Sequence, residues 1–249
     1  MARTYNDSGI VLRRTDLRDS DRILTVLTRD HGKLSVLAKG IRKPLAKLAA
    51  HVDLFAQAAM SFASGRSLEI LIGAVRFPDT YFEDGLEAMV YASLLAEAID
   101  RTTEPSSPVP ALYDLLSLAL RELAHASSSR RIIALWHLYR LLDWMGQAPL
   151  LSRCMVCSRA LPDEALTFSA AAGGFFCPDH RQGRPLLPIS VRPLLSLLAS
   201  SDRDFFTFPF ETQDLQALEN LLLDLVEEHL PSPLKSRQFL RSVLLEARP

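Results

Sequence analysis

The sequence predicts a multi-domain β + α protein: a small front barrel of short strands, then a helical body carrying a cysteine-bearing insert. Three observations predict it. Five short runs with strand-like alternation fall within residues 1–80. The apolar period then changes to helical spacing after Phe77-Pro78-Asp79 and holds to the end. All three cysteines sit in one segment between two of the helices.

The front part, residues 1–80, reads as strands over Ser8–Arg13, Arg22–Arg29, Lys33–Lys39, Asp53–Phe62 and Ser67–Phe77. Asp30-His31-Gly32 and Ser64-Gly65-Arg66 are short, glycine-bearing connections of the kind that close hairpins. In Lys33–Lys39, Leu34, Val36 and Ala38 fall on one face, opposite a mostly polar face. Gly40 ends that strand and Pro44 blocks a continuing ladder. Five strands with one long basic connection in the middle fit an OB-fold-like barrel, with an SH3-like barrel as the competitor that patterning does not separate.

Residues 81–249 read as helices. Leu86–Asp100 comes first, then a turn-rich linker, then a helix from Pro110 to about Ala126, with proline in the first turn. Ser127-Ser128-Ser129 breaks it. Arg130–Met145 is the most apolar stretch, with Gly146 placed as a C′ glycine. Val191–Ala199, Gln213–Leu230 and Leu234–Ala247 complete the body, the last two divided by Pro231-Ser232-Pro233. Their leucine stripes read as core.

The insert, at about residues 150–185, carries Cys154-Met155-Val156-Cys157 and Cys177-Pro178-Asp179-His180, a C-x2-C-x19-C-x2-H spacing. Two such knuckles place three thiolates and one imidazole tetrahedrally around one zinc ion. Gly173-Gly174 supplies a tight turn, and Leu166–Ser169 can pair with Phe175-Phe176 as a minimal zinc-ribbon-like hairpin. Four protein ligands leave no open coordination position, so the site reads as structural. Buried free thiols with a surface histidine are the plainer alternative, and no βαβ pattern supports a redox C-x-x-C.

Net charge is −1 but unevenly placed. Residues 1–80 hold 13 Lys+Arg against 8 Asp+Glu, whereas residues 81–249 hold 15 against 21. Such asymmetry points to a polyanion-facing module joined to something else, although a short basic run alone reads equally as a solvated loop. No apolar run reaches membrane-span length, and Met1–Asp7 lacks the apolar core of a signal peptide, so the cytoplasm is the expected location. No P-loop, G-x-S-x-G or G-x-G-x-x-G motif occurs. Asp16, Asp19 and Asp21 suggest a nuclease metal, but Arg14, Arg18 and Arg22 interleave with them, and a charged loop is the better reading. Nothing in the sequence supports an enzyme.

Val11-Leu12-Arg13, the Arg22–Thr28 strand, Gly32–Arg42, the helical second half, the cysteine knuckles and Pro233-Leu234-Lys235-Ser236-Arg237 together resemble the bacterial recombination mediator family RecO. The resemblance runs in order through essentially the whole chain, and the Gly32–Arg42 and Leu234–Arg237 blocks carry it most specifically. Several RecO proteins have four cysteines at the metal site; here the fourth place is His180, and some members lack the site altogether. The resemblance implies binding of single- and double-stranded DNA, strand annealing, and partnership with RecR in loading RecA onto DNA coated with single-strand-binding protein. It also implies contact with the acidic C-terminal tail of that protein, a nucleoid-associated location, and no chemical step. On that basis DNA contact is expected at Arg13, Arg14, Arg18, Lys39, Arg42, Lys43 and Lys47, whose charge and closeness to the barrel loops are read from the sequence itself. Tail contact is expected at Arg130, Arg131, Lys235 and Arg237, with Arg237 alternatively tying the ends of the bundle together. The rival readings are a zinc-bearing adaptor that binds only proteins, and a hydrolase built on the Asp16–Asp21 group.

Overall fold

The computed structural model describes residues 3–78, 85–126, 129–181, 183–200 and 203–246. By compactness the chain divides into two units, residues 1–126 with 238–249, and residues 127–237. The switch from strand to helix expected at residue 80 lies outside the described residues, as do Ser127-Ser128 and Ala247. The compact units do not divide at that switch. The first two helices group with the barrel.

In the first unit, β1 (Thr4–Leu17), β2 (Asp21–Thr28), β3 (Gly32–Ala38), β4 (Gln57–Ala63) and β5 (Glu69–Arg76) close a barrel in the order β1-β2-β3-β5-β4. All pairings are antiparallel except β3 with β5, which pair parallel at Val36–Glu69 and Leu37–Ile70. That closure is the five-stranded Greek-key OB arrangement, and it decides the question that alternation left open. Val11, Leu24, Val26, Val36, Met60, Phe62 and Leu71 fill the interior.

Two strand boundaries differ from expectation for identifiable reasons. β1 is longer at both ends because it serves two neighbours: residues 4–10 pair with β4 and residues 9–17 with β2, with a register shift between Val11 and Arg13. Conversely, β4 begins at Gln57 rather than Asp53. Phe55 has φ +62° and Ala56 N–H donates to the Asp53 carbonyl, so these residues form a turn. At the β2–β3 turn, Gly32 has φ +74°, and a Cβ there would run into the backbone of Ser107. The buried Asp7 carboxylate secures the same turn, accepting from the backbone N–H groups of Asp30 and His31 at 3.1 Å each.

Helices α1 (Leu86–Thr102) and α2 (Pro110–Ala124) pack on β1 and β2. Ile10 and Leu12 are therefore as buried as Val11, which explains the unbroken apolar triplet. Polar ties fix the helices. Gln57 Nε2 donates to the Ser117 carbonyl (3.1 Å) and the Ser117 hydroxyl donates to Gln57 Oε1 (2.7 Å). Arg29 forms two hydrogen bonds with Asp114, at 3.0 and 3.1 Å. Asp100 on α1 receives Lys33 at 3.1 Å and Arg13 at 3.5 Å.

In the second unit, α3 (Arg130–Trp144), α4 (Val191–Ala199) and α5 (Thr212–Glu228) pack together. Gly146 takes φ +69° and closes α3 as expected, with Gln147 N–H donating to the Leu142 carbonyl at 2.8 Å. The insert folds as a hairpin of β6 (Thr167–Ser169) and β7 (Gly174–Phe176) followed by a 3-10 turn, Pro178–His180. Helix α6 spans Lys235–Glu246, and only its first three residues group with this unit. Among the described residues no helix is long and apolar enough to cross a membrane.

Candidate metal centre and nucleic-acid interface

The two knuckles converge. One donor atom from each of Cys154, Cys157, Cys177 and His180 lies within 4.8 Å of the others. Cys157 Sγ is 3.9 Å from Cys177 Sγ, His180 Nδ1 is 3.1 Å from Cys177 Sγ, and His180 Nδ1 is 3.9 Å from Cys154 Sγ. A tetrahedral zinc with Zn–S near 2.3 Å requires ligand–ligand edges of about 3.8 Å. The donor set, its spacing and its free thiols fit one such ion.

Backbone geometry prepares the cluster for it. Burial pushes the Cys154 thiol up, but N–H groups of Cys157, Cys177 and Val156 directed at its sulfur outweigh that and bring it down to about 6. Two of these bonds are explicit: Val156 N–H at 3.5 Å and Cys177 N–H at 3.4 Å. Burial and the neighbouring Cys154 and Cys157 push the Cys177 thiol up, so a cation is what relieves three crowded sulfurs. The Arg159 guanidinium stands beside Cys157 and pairs with Asp179 at 3.3 Å. Sequence reading missed it; a cation two residues past a knuckle cysteine is the available signal.

On the barrel, the turn after β1 and the loop after β3 are laced together. Arg42 N–H donates to the Ser20 carbonyl (3.0 Å), Arg42 Nη1 to the Arg18 carbonyl (3.1 Å), and Gly40 N–H to Asp21 Oδ1 (2.7 Å). This brings Arg18, Lys39, Arg42 and Lys43 to one rim, with Lys47 farther along the same loop. All five are exposed. Among the described residues Lys39, Lys43 and Lys47 form no ion pair.

Asp16 pairs with Arg22 at 2.6 Å and with Arg42 at 3.4 Å. The Arg22 guanidinium, with Arg42 and Arg14 nearby, holds the Asp16 carboxyl below its ordinary value. Asp16 and Asp21 are thus engaged by the cations and backbone of this rim. Among the described residues, only the cysteine–histidine cluster groups three or more potential metal ligands. Arg13 and Arg14 pair with other acids. Arg13 bonds Asp100 on α1 and Thr25 Oγ1 (3.2 Å), while Arg14 bonds Asp53 in the turn before β4.

Comparison with known proteins covers nearly all of the chain. The family model for the N terminal of recombination protein O matches residues 1–75, and that for its C terminal matches residues 84–238. DNA repair protein RecO of Bifidobacterium longum strain DJO10A is 30% identical over 246 residues, covering 96% of this chain and 99% of that protein. The protein of the same name from strain NCC 2705 gives the same figures. The chain belongs to the RecO family. It is therefore a DNA repair and recombination protein, of a family of non-enzymatic mediators.

The arginines of the helical body that the RecO resemblance offered for tail contact occupy a different environment from the rim. Arg131 forms hydrogen bonds to both Glu219 carboxylate oxygens, at 3.2 and 2.9 Å, and to Gln216 at 3.0 Å. Its side chain is 12% exposed and that of Glu219 2%. Arg237, 9% exposed, pairs with Asp224 at 2.7 Å and with Glu227. Glu227 also accepts from Leu234 N–H at 2.8 Å, so this arginine ties the start of α6 to the end of α5. The Leu234–Arg237 block of the RecO resemblance is consequently largely interior, with Leu234, Ser236 and Arg237 all buried. Arg130 is half-buried at the start of α3, and Lys235 is exposed at the start of α6.

Proposed function

We propose that this RecO protein binds single- and double-stranded DNA through the loop rim of its barrel and promotes pairing of complementary strands. With RecR it would load RecA onto DNA coated with single-strand-binding protein, in the bacterial cytoplasm at the nucleoid. The observation that carries the reading is the exposed cationic rim of Arg18, Lys39, Arg42, Lys43 and Lys47 on a barrel of OB topology. Loop ends are a recurrent nucleic-acid surface of that fold. Arg14 is an auxiliary contact, since it must exchange a half-exposed carboxylate pairing for a phosphate, and Arg13 is a lesser one, since its partner Asp100 is largely buried. Phe55 and Phe62 are in the core, so backbone charge rather than base stacking dominates.

Zinc, held by Cys154, Cys157, Cys177 and His180, supplies a cross-link that holds the two knuckles of the insert. For the acidic tail of single-strand-binding protein, Lys235 is the better candidate of the four cations on exposure alone, since Arg130 and Arg131 are half-buried and Arg237 is buried.

Binding of a labelled oligonucleotide measured across salt concentrations tests the reading. Log affinity should fall linearly with log salt, by about 0.7 for each single-strand phosphate contacted, and complementary strands should pair faster with the protein present. A protein that retained neither single strands nor duplexes in dilute buffer, yet captured RecR, would instead be the zinc-bearing adaptor.

A further inference from the structure

The loop after β3 is built from successive tight turns. Lys43 N–H donates to the Gly40 carbonyl, Ala46 N–H to Lys43, Ala49 N–H to Ala46 and His51 N–H to Leu48, all at 3.0–3.1 Å. Two of its aliphatic residues face inward: Ile41 is 5% exposed, and Leu48 packs against the barrel core. The third, Leu45, is 93% exposed. It follows Pro44, whose fixed φ stiffens the turn, and it stands between exposed Lys43 and Lys47.

A lone surface leucine is ordinary. This one is held outward by a loop with both feet in the core, beyond a stem tied to the β1–β2 turn, with a cation two residues away on each side. An apolar side chain presented between phosphate-binding cations matches the way proteins wedge open a base step.

We propose that Leu45 is such a wedge. It enters between adjacent bases of a strand whose phosphates Lys43 and Lys47 hold, and it unstacks them. Loosening the stack would leave base edges free to find a complement, which strand pairing requires. The inference rests on the DNA-binding reading and adds a residue that touches bases rather than phosphates.

The test uses the full-length protein and a single strand containing 2-aminopurine, whose fluorescence rises when it unstacks. Wild type should raise the fluorescence on binding. Leu45→Ala should bind with an unchanged salt slope, lose that rise and slow strand pairing about tenfold, the scale set by part of one step's unstacking cost. Leu45→Met should keep the rise. Equal fluorescence from wild type and Leu45→Ala, with binding intact, would overturn the wedge alone. A lowered salt slope in Leu45→Ala would also overturn it, because the loop's cations would then have moved. Failure of wild type to bind the strand would overturn the wedge and the DNA-binding reading together.

Discussion

Arginines in the barrel and arginines in the helical body carry the same charge to opposite ends. Arg14 and Arg42 keep 40% and 35% of their side chains exposed, and Asp53 and Asp16, which pair with them, are about half exposed. Exposed pairs of this kind are worth little, so a phosphate can replace the carboxylate at small cost. Arg131 faces a glutamate that water does not reach. There the partner cannot leave without stranding a buried charge. Availability to a polyanion is thus set by the burial of the acid as much as by the cation.

The largest effect should come from breaking that contrast in the helical body. Arg131→Met leaves the buried Glu219 carboxylate without its counter-charge, and should lower unfolding free energy in urea by about 3–5 kcal/mol. Adding Glu219→Gln should restore most of the loss, and neither protein should change its salt slope for DNA. A slope that fell with Arg131→Met would place this arginine on the DNA. Next in size is the metal centre. Cys177→Ser should weaken zinc retention by more than about 100-fold, measured by metal analysis after dialysis against a chelator. It should lower the thermal midpoint while oligonucleotide binding persists.

The same contrast marks what the sequence made legible. Periodicity located the helices and hairpins within a few residues, because each apolar face is a local pattern. C-x2-C-x19-C-x2-H likewise identified four residues that meet in space, since each knuckle is local and only their docking is not. Pairing of charges was not legible. Asp16, Asp53, Asp100 and Glu219 are between 6 and 88 residues from the arginines they engage, and no sequence rule joins them. The β4 boundary was hidden for a related reason. Phe55 adopts a positive φ that its residue type disfavours, and the surrounding backbone holds it there: Phe55 N–H donates to the Val11 carbonyl and Val11 N–H to Ala56.

On the barrel side, Arg42→Ala, Lys43→Ala and Lys47→Ala together should flatten the salt dependence by about 0.7 per lost phosphate contact, up to about 2 in slope. Stability should hardly move, by about 0.5 kcal/mol or less, in contrast to Arg131→Met. An unchanged slope would move the DNA to another face.

The smallest expected effect is also the one that isolates the role of the acids. Asp16→Asn removes the carboxylate that engages Arg22 and Arg42 without removing a cation. If a phosphate competes with that carboxylate, the variant should bind an oligonucleotide about two- to threefold more tightly, the scale of one exposed pair, with a slightly steeper salt slope. Asp53→Asn should do the same through Arg14, with which it pairs. Glu219→Gln should not, because its arginine is held away from solvent whatever its partner. Tightening by Asp16→Asn but not by Glu219→Gln would tie DNA affinity to the exposed pairs. Equal behaviour of the two would mean that long-range net charge, rather than the rim, governs affinity.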